Sequence, residues 1–353
     1  MNKAQVSAFV ENPPRDVWLR AGSRSVLIRR RTAVITAVLL LSVVATGLWA
    51  LGVGGSSLNH FKVAEVLMGG GTPGQRMILV QWRAPRILAA VVVGGALGIS
   101  GAIFQTLTRN PLGSPDLIGF TMGAQTGILV AVIVAGASLA SVTSFALVGG
   151  LLAGAIVYAL SFKGGFGGLR LILGGIAVSS MLGSFNRWLI VQADSDTAYG
   201  ALKAVTGTFA SVGWDTAGWS LAGIALISLL ALGFSQSLET LSLGHELGTT
   251  LGLPMQRIQA LMVLTGVALV ALATVVAGPI SFIALLAPHI ARSLCRSYVA
   301  PLVASALTGS LLLLAADVLG QAVLESLPVG IVTSALGGLY FLALLIAETR
   351  KKL

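Results

Sequence analysis

Charge is scarce in this chain. Only 10% of its 353 residues are Asp, Glu, Lys or Arg, against about 25% in an ordinary soluble domain, and long stretches carry none, which excludes a water-soluble globule. Cysteine is nearly absent: Cys295 is the single thiol, so no intrachain disulfide can form. His60, His245 and His289 stand far apart and cannot join that thiol in a Cys/His metal cluster. No Gly-Lys pair occurs anywhere, so there is no P-loop to cradle nucleotide phosphates, and any ATP hydrolysis must belong to another polypeptide. Neither H-E-x-x-H nor G-x-S-x-G is present, and no series of embedded Asp, Glu or His offers a proton relay. An intramembrane enzyme is thereby disfavoured. A stand-alone secondary transporter, which needs ion-coordinating polar groups at mid-span, stays only as a weaker alternative. The net charge of +10 does not indicate nucleic acid, because the cations are scattered between apolar runs and form no stripe.

What is abundant is apolar length: 56% of the residues are hydrophobic. A helix that crosses the hydrocarbon layer takes about 20 such residues. About ten runs of that kind are bounded by charge, Pro or Gly: 32–54, 84–107, 115–134, 143–161, 169–190, 216–235, 257–278, 280–296, 300–320 and 329–348. The eighth is short and holds Pro288, which is expected to break it, so nine spans with a re-entrant segment is the alternative count. Arg29, Arg30 and Arg31 precede the first run, and Arg350, Lys351 and Lys352 follow the last, so an even number of spans puts both termini in the cytoplasm. Ten spans then leave 16 Lys and Arg inside and 6 outside, and bring Trp49, Trp82, Trp188, Trp214 and Trp219 to the outer interface, where amphipathic indoles belong. The expected fold is an all-α integral membrane bundle, with residues 1–31 a cytoplasmic extension and 32–353 the transmembrane domain.

Glycine is plentiful at 44 residues. Gly94, Gly98 and Gly101, and again Gly150 and Gly154, have the spacing that lets helix backbones approach closely in lipid. The polar interruptions are more particular. "WRAPR" (Trp82 to Arg86) sets two guanidiniums at the mouth of the second span, where they either meet carboxylates of a partner or anchor at the interface with Trp82. "RNPLGSPD" joins the second and third spans, with Asp116 near a new helix start. Residues 236–254 are too polar to span, yet rich in helix formers, and read as one or two short helices on the cytoplasmic surface. "GPISFIALLAPHIAR" (Gly278 to Arg292) follows the seventh span, with Gly278-Pro279 as a break. Asp317, in "LLAADVLGQ" (Leu313 to Gln321), is the one carboxylate deep enough in a span to need a partner, and a helix-end cap or a buried hydrogen bond accounts for it better than a pathway role.

These segments, together with "LPVGIVTSALGG" (Leu327 to Gly338) and in this order, resemble the permease subunits of type II ATP-binding-cassette importers, which take up iron siderophores, haem and cobalamin. The likeness runs from about residue 33 to 350. It implies a ten-helix permease bundle in the bacterial cytoplasmic membrane, carrying no cofactor of its own. It also implies a homologous second permease chain, two ATPase subunits that use ATP and Mg, an extracytoplasmic binding protein, and a ferric siderophore, a catecholate such as enterobactin, as cargo. Haem or cobalamin remains the alternative. Carried over residue by residue, Arg83 and Arg86 match arginines that dock the binding protein, while a further family arginine is here Gln321. Leu238, Glu239, Leu241, Gly244, Glu246, Leu247, Leu251 and Gly252 fall in the segment matching the helices that couple to the ATPase. In the family the fifth and tenth spans flank the pathway. Here "GGIAVSSMLGSFNRWLI" places Ser179, Ser180, Asn186 and Arg187 in the fifth. Arg187 either draws an anionic ferric siderophore into the outer vestibule or snorkels to headgroups beside Trp188, and the serines and Asn186 either line the pathway or bond neighbouring helices.

Overall fold

The structure, a computed structural model, describes residues 16–21, 24–54, 58–116, 118–136, 139–161, 168–243, 248, 250, 254–324 and 327–352. It opens on a short antiparallel hairpin, β1 (Asp16–Ala21) against β2 (Arg24–Arg29), in the register Asp16 to Arg29 through Ala21 to Arg24. The hairpin lies in the stretch expected from the sequence to be a cytoplasmic extension. Val17, Trp18, Val26 and Ile28 supply the β-branched and aromatic residues that favour a pleated pair.

All other regular structure among the described residues is helical. In chain order come α1 (Arg30–Ala50), α2 (His60–Leu67), α3 (Pro73–Met77), α4 (Ala84–Thr108), α5 (Phe120–Leu129), α6 (Leu139–Ser161) and α7 (Gly168–Gln192). Then follow α8 (Ser195–Ala204), α9 (Trp214–Gly233), α10 (Ser235–Leu243), α11 (Met255–Ala277), α12 (Ile283–Cys295), α13 (Leu302–Ala322) and α14 (Val329–Lys352). Every apolar run expected from the sequence is therefore a helix. Among the described residues six helices are long and apolar enough to cross a membrane alone, and α9 with α10, bent by 53° where they meet, make a seventh if they form one span. Phe120–Val134, Ile283–Cys295 and the apolar part of α14, Val329–Ala343, are shorter; they are the third, eighth and tenth of the expected runs.

The second run starts earlier than its hydropathy indicates. Thr72 and Gln75 form a reciprocal capping box with Pro73 in the first turn, so α3 is nucleated ahead of the apolar stretch. A π-helical turn, Ile78–Arg83, then joins α3 to α4. The resulting 36-residue rod is the centre of the bundle, with 72% of its most apolar window buried against 17% for α1 and for α7. It packs most extensively on α13, then on α11 and α12. The seam with α13 is built from glycine: a Cβ on Gly94 would lie 2.5 Å from the Gly309 carbonyl oxygen, and Gly98 abuts the backbone of Ser305. Close backbone approach of this kind replaces the hydrophobic driving force that lipid removes.

Pro288 does not break α12, contrary to the sequence expectation; it lies inside the helix. The carbonyl of Ala284, which a proline four residues on cannot serve, packs against Gly101 of α4. One turn away the Gln105 amide donates to the Leu285 carbonyl at 2.9 Å. Neighbouring helix α4 thus supports the weakened ladder, which is how proline is tolerated in membrane helices. The Gly278-Pro279 break is real: α11 ends at Ala277, Gly278 adopts φ +72°, and α12 starts after Phe282 at φ +69°.

Candidate functional site

At the end of the bundle where α4 begins and α13 ends, Arg86 and Asp317 meet. Arg86 Nε donates to Asp317 Oδ2 at 2.9 Å and Nη2 donates to Oδ1 at 2.8 Å, a fork-to-fork pair of the strong, directional kind. Gln321, one turn along α13, donates from Nε2 to Asp317 Oδ2 at 2.8 Å. The aspartate side chain is 2% exposed and the arginine 21%. The buried hydrogen bond expected for Asp317 is therefore this pair, the only salt bridge among the described residues. Arg83, three residues earlier, ends the π turn, and its Nη1 donates to the carbonyls of Leu51 and Leu58 in the α1–α2 connection. The π turn itself is held from outside, since Trp214 Nε1 donates to the Val80 carbonyl at 2.8 Å.

A cleft of about 640 Å³ with mixed polar and apolar walls opens between α5, the α8–α9 connection, the α11–α12 break and α14. Gln125, Thr206, Ser281 and Ser334 line it, over the carboxylate of Asp116. Asp116 is occupied: it accepts from Thr121 Oγ1 at 3.1 Å and from the Phe282 backbone N–H at 3.2 Å. It thereby caps the left-handed entry to α12. The broken chain segments bond to one another here, Thr208 N–H to the Ala277 carbonyl at 2.7 Å and Gly330 N–H to the Gly207 carbonyl at 2.9 Å. Irregular backbone at such a place lines a cavity, as it does wherever a membrane protein tolerates it. The sequence reading missed this cleft. Its signal was the coincidence of helix breaks near Gly207, Gly278 and Gly330, which are far apart in the chain.

The four residues singled out on α7 fall on two faces. Asn186 is buried, 4% exposed, and accepts from Thr126 Oγ1 of α5 at 2.7 Å. Ser179 bonds back to the Gly175 carbonyl at 2.8 Å and lies against Gly119. Ser180 and Arg187 face away from α5 and are exposed, with Ser180 bonded to the Ile176 carbonyl at 2.9 Å. The exposed flank also carries Met181, Phe185, Trp188 and Val191, so this helix has one side packed and one side without a neighbour among the described residues.

At the other end of the molecule α10 buries Leu238 and Leu241 and leaves Glu239 exposed. Beside it a cleft of about 180 Å³ is lined by Arg109, Asn110, Ser242 and Arg292. Gly244, Glu246, Leu247, Leu251 and Gly252 lie outside the described residues. Among the described residues no group of His, Cys, Asp and Glu could hold a metal ion.

Comparison with known proteins identifies the class. Residues 39–347 match the FecCD transport family. The ferric enterobactin transport system permease protein FepG of Escherichia coli K12 is 42% identical over 325 residues, covering 91% of this chain and 98% of that protein. The Fe(3+)-citrate import system permease protein YfmD of Bacillus subtilis is 37% identical over 302 residues, 83% of this chain and 89% of its own. Among solved structures, a metal-chelate type ABC transporter in an inward-facing conformation superposes with a TM-score of 0.78 at 27% identity, covering 89% of this chain and 99% of that one. The chain belongs to the FecCD transport family. It is a multi-pass membrane permease with a transport role, and the ATP-binding-cassette likeness read from its motifs stands.

Proposed function

We propose that this permease is one membrane subunit of an ATP-driven importer that passes a ferric siderophore, of the catecholate class such as enterobactin, across the bacterial cytoplasmic membrane. The observation that carries the reading is its 42% identity, over 91% of the chain, to a permease named for ferric enterobactin. The cargo is a substrate, and the chain holds no cofactor of its own. A homologous second permease chain completes the channel, two ATPase subunits supply ATP and Mg chemistry from the cytoplasm, and a binding protein delivers the siderophore from outside.

The geometry supports a role for each end. α10, with Leu238 and Leu241 buried beneath it and Glu239 on its surface, is a short rigid element able to transmit closure of the ATPase by rigid-body motion. The segment that continues it, with Gly244, Glu246, Leu247, Leu251 and Gly252, shares that coupling role. Arg83 and Arg86 dock acidic side chains of the binding protein. The unpartnered flank of α7, with Ser180 and Arg187, faces the second permease across the pathway, and Arg187 attracts the anionic complex by charge. Asn186 and Ser179, turned toward α5, fix the wall behind it.

The test is radioiron uptake in cells that lack only this gene, supplied in parallel with a catecholate, a hydroxamate and citrate as iron ligands, and with haem and labelled cobalamin. Loss confined to the catecholate, restored by the wild-type gene, is the expected result. Loss confined to haem or cobalamin overturns the cargo and keeps the importer. Uptake that persists without the ATPase overturns the importer in favour of a transporter working alone. Arg187→Gln with normal assembly and normal uptake removes the attraction assigned to that residue.

A further inference from the structure

We propose that Asp317 is a positioning residue for docking: it holds one edge of the Arg86 guanidinium so that the other edge is presented, fixed in direction, to an acidic side chain of the binding protein. The inference rests on the reading of Arg83 and Arg86 as docking residues, and deepens it by assigning a role to a residue on a different helix.

An arginine has five N–H donors in a planar fork. In this chain the Nε and Nη2 edge is committed to the two oxygens of Asp317, while Nη1 makes no hydrogen bond among the described residues. The two ends of the pair differ in access as well. Asp317 is 2% exposed and cannot itself reach a partner, whereas Arg86 retains 21%. A carboxylate arriving from outside therefore meets the remaining edge, and the result is a ladder of carboxylate, guanidinium and carboxylate in one plane. Gln321 completes the support by donating to Asp317 Oδ2 at 2.8 Å, which leaves the aspartate no rotation that keeps all its bonds.

Such a support changes docking in a definite way. A free surface arginine carries substantial rotamer entropy, most of which is lost when it binds. Here the bidentate pair has already taken that loss during folding, so the contact with the partner forms on a preorganised group. The neighbouring carboxylate also reduces the long-range field of Arg86, so its contribution lies in short-range fit rather than in steering. Arg83 is held in another way, its Nη1 donating to backbone carbonyls of the α1–α2 connection.

The experiment measures the affinity of the purified binding protein for the complete transporter in nanodiscs, with thermal unfolding of each variant recorded beside it. Arg86→Gln and Asp317→Asn are each expected to weaken binding roughly tenfold, the scale of one charge-assisted hydrogen bond. The double variant is expected to be no weaker than either single one, because Asp317 acts only through Arg86. Arg86→Lys keeps an ion pair with Asp317, and hence the fold, but has no second planar edge, so it too binds roughly tenfold more weakly. Asp317→Glu restores most of the affinity. Full affinity in Asp317→Asn or in Arg86→Lys overturns the proposal. So does a loss in Asp317→Asn that persists undiminished on the Arg86→Gln background, which marks a role in the fold alone. Arg86→Gln binding as tightly as wild type refutes the docking reading itself, a result separate from the others.

Discussion

The α4–α13 seam gives a graded prediction. An alanine at Gly94 puts its Cβ 2.5 Å from the Gly309 carbonyl oxygen, where ordinary contact begins at 3.4 Å, and 2.8 Å from the Ser310 Cα. Both opposing groups are backbone and cannot rotate away, so the two helices must separate by about 0.9 Å at that level. Overpacking of this kind costs about 1–3 kcal/mol. The displacement also reaches the arginine end: Gly94 and Arg86 are two turns apart on α4, as are Gly309 and Asp317 on α13, a distance of about 12 Å. Carried rigidly, it stretches the 2.8 Å bond between Arg86 and Asp317 to about 3.7 Å, beyond hydrogen-bond range. Gly95 is the intermediate case, its Cβ meeting the Ser310 Oγ at 3.2 Å and the Ala306 carbonyl oxygen at 3.8 Å, and Gly183 has nothing within 4 Å. Thermal unfolding of the purified chain should rank Gly94→Ala least stable, Gly95→Ala next, and Gly183→Ala at or above wild type, since alanine favours the helix by up to about 1 kcal/mol. A Gly94→Ala protein as stable as Gly183→Ala refutes the backbone-contact account of the seam.

Three further predictions are simpler. Trp214→Phe removes the indole donor from the Val80 carbonyl and should lower stability by about 1 kcal/mol, read as earlier thermal unfolding; an unchanged transition means that the π turn needs no outside bond. Asp116→Ala strips the Phe282 N–H of its acceptor and should cost about 1–3 kcal/mol, with Asp116→Asn milder because an amide oxygen can still accept; equal losses in the two would point to the charge instead. Asp194 caps α8 by accepting from the Thr197 N–H at 2.9 Å, and that bond holds its carboxyl below the usual range. The cap is therefore fully present above the ordinary carboxylate pKa near 4 and is lost as pH falls through the lowered native value. Hydrogen exchange in α8 should accelerate only in that acid window, and acceleration at neutral pH would be inconsistent with it.

Much of the fold was legible in the sequence because hydropathy and turn chemistry are local. The runs that became α4, α7, α11 and α13 were bounded by charge or by Gly-Pro, and their ends in the structure lie within a few residues of those signals, apart from the earlier start that Thr72 gives the second. The glycine spacing in α4 announced a backbone seam, but not which helix lay across it. Pro288 misled, because the support for its weakened turn comes from Gly101 and Gln105, far away in sequence. The pairing of Arg86 with Asp317 spans 231 residues and was invisible for the same reason: each residue had a plausible local reading, an interfacial anchor for one and a helix end for the other. The cleft is hard to read from sequence because its signal is the coincidence of three breaks far apart in the chain. The β hairpin was passed over since its alternation is brief and sits among charges.

The break between α11 and α12 bears on the order in which the chain enters the bilayer. A span delivered to lipid must arrive with its backbone groups already bonded. The Ala277 carbonyl can take its bond from Thr208 at once, because Thr208 is already synthesised, but the Gly207 carbonyl waits for Gly330. The short helix α12, at 13 residues, is also too brief to hold itself across the hydrocarbon. The Gly207 connection is thus completed only when α14 arrives, whereas Cys295 at the end of α12 is covered earlier, by Leu39 of α1 and Ala304 of α13.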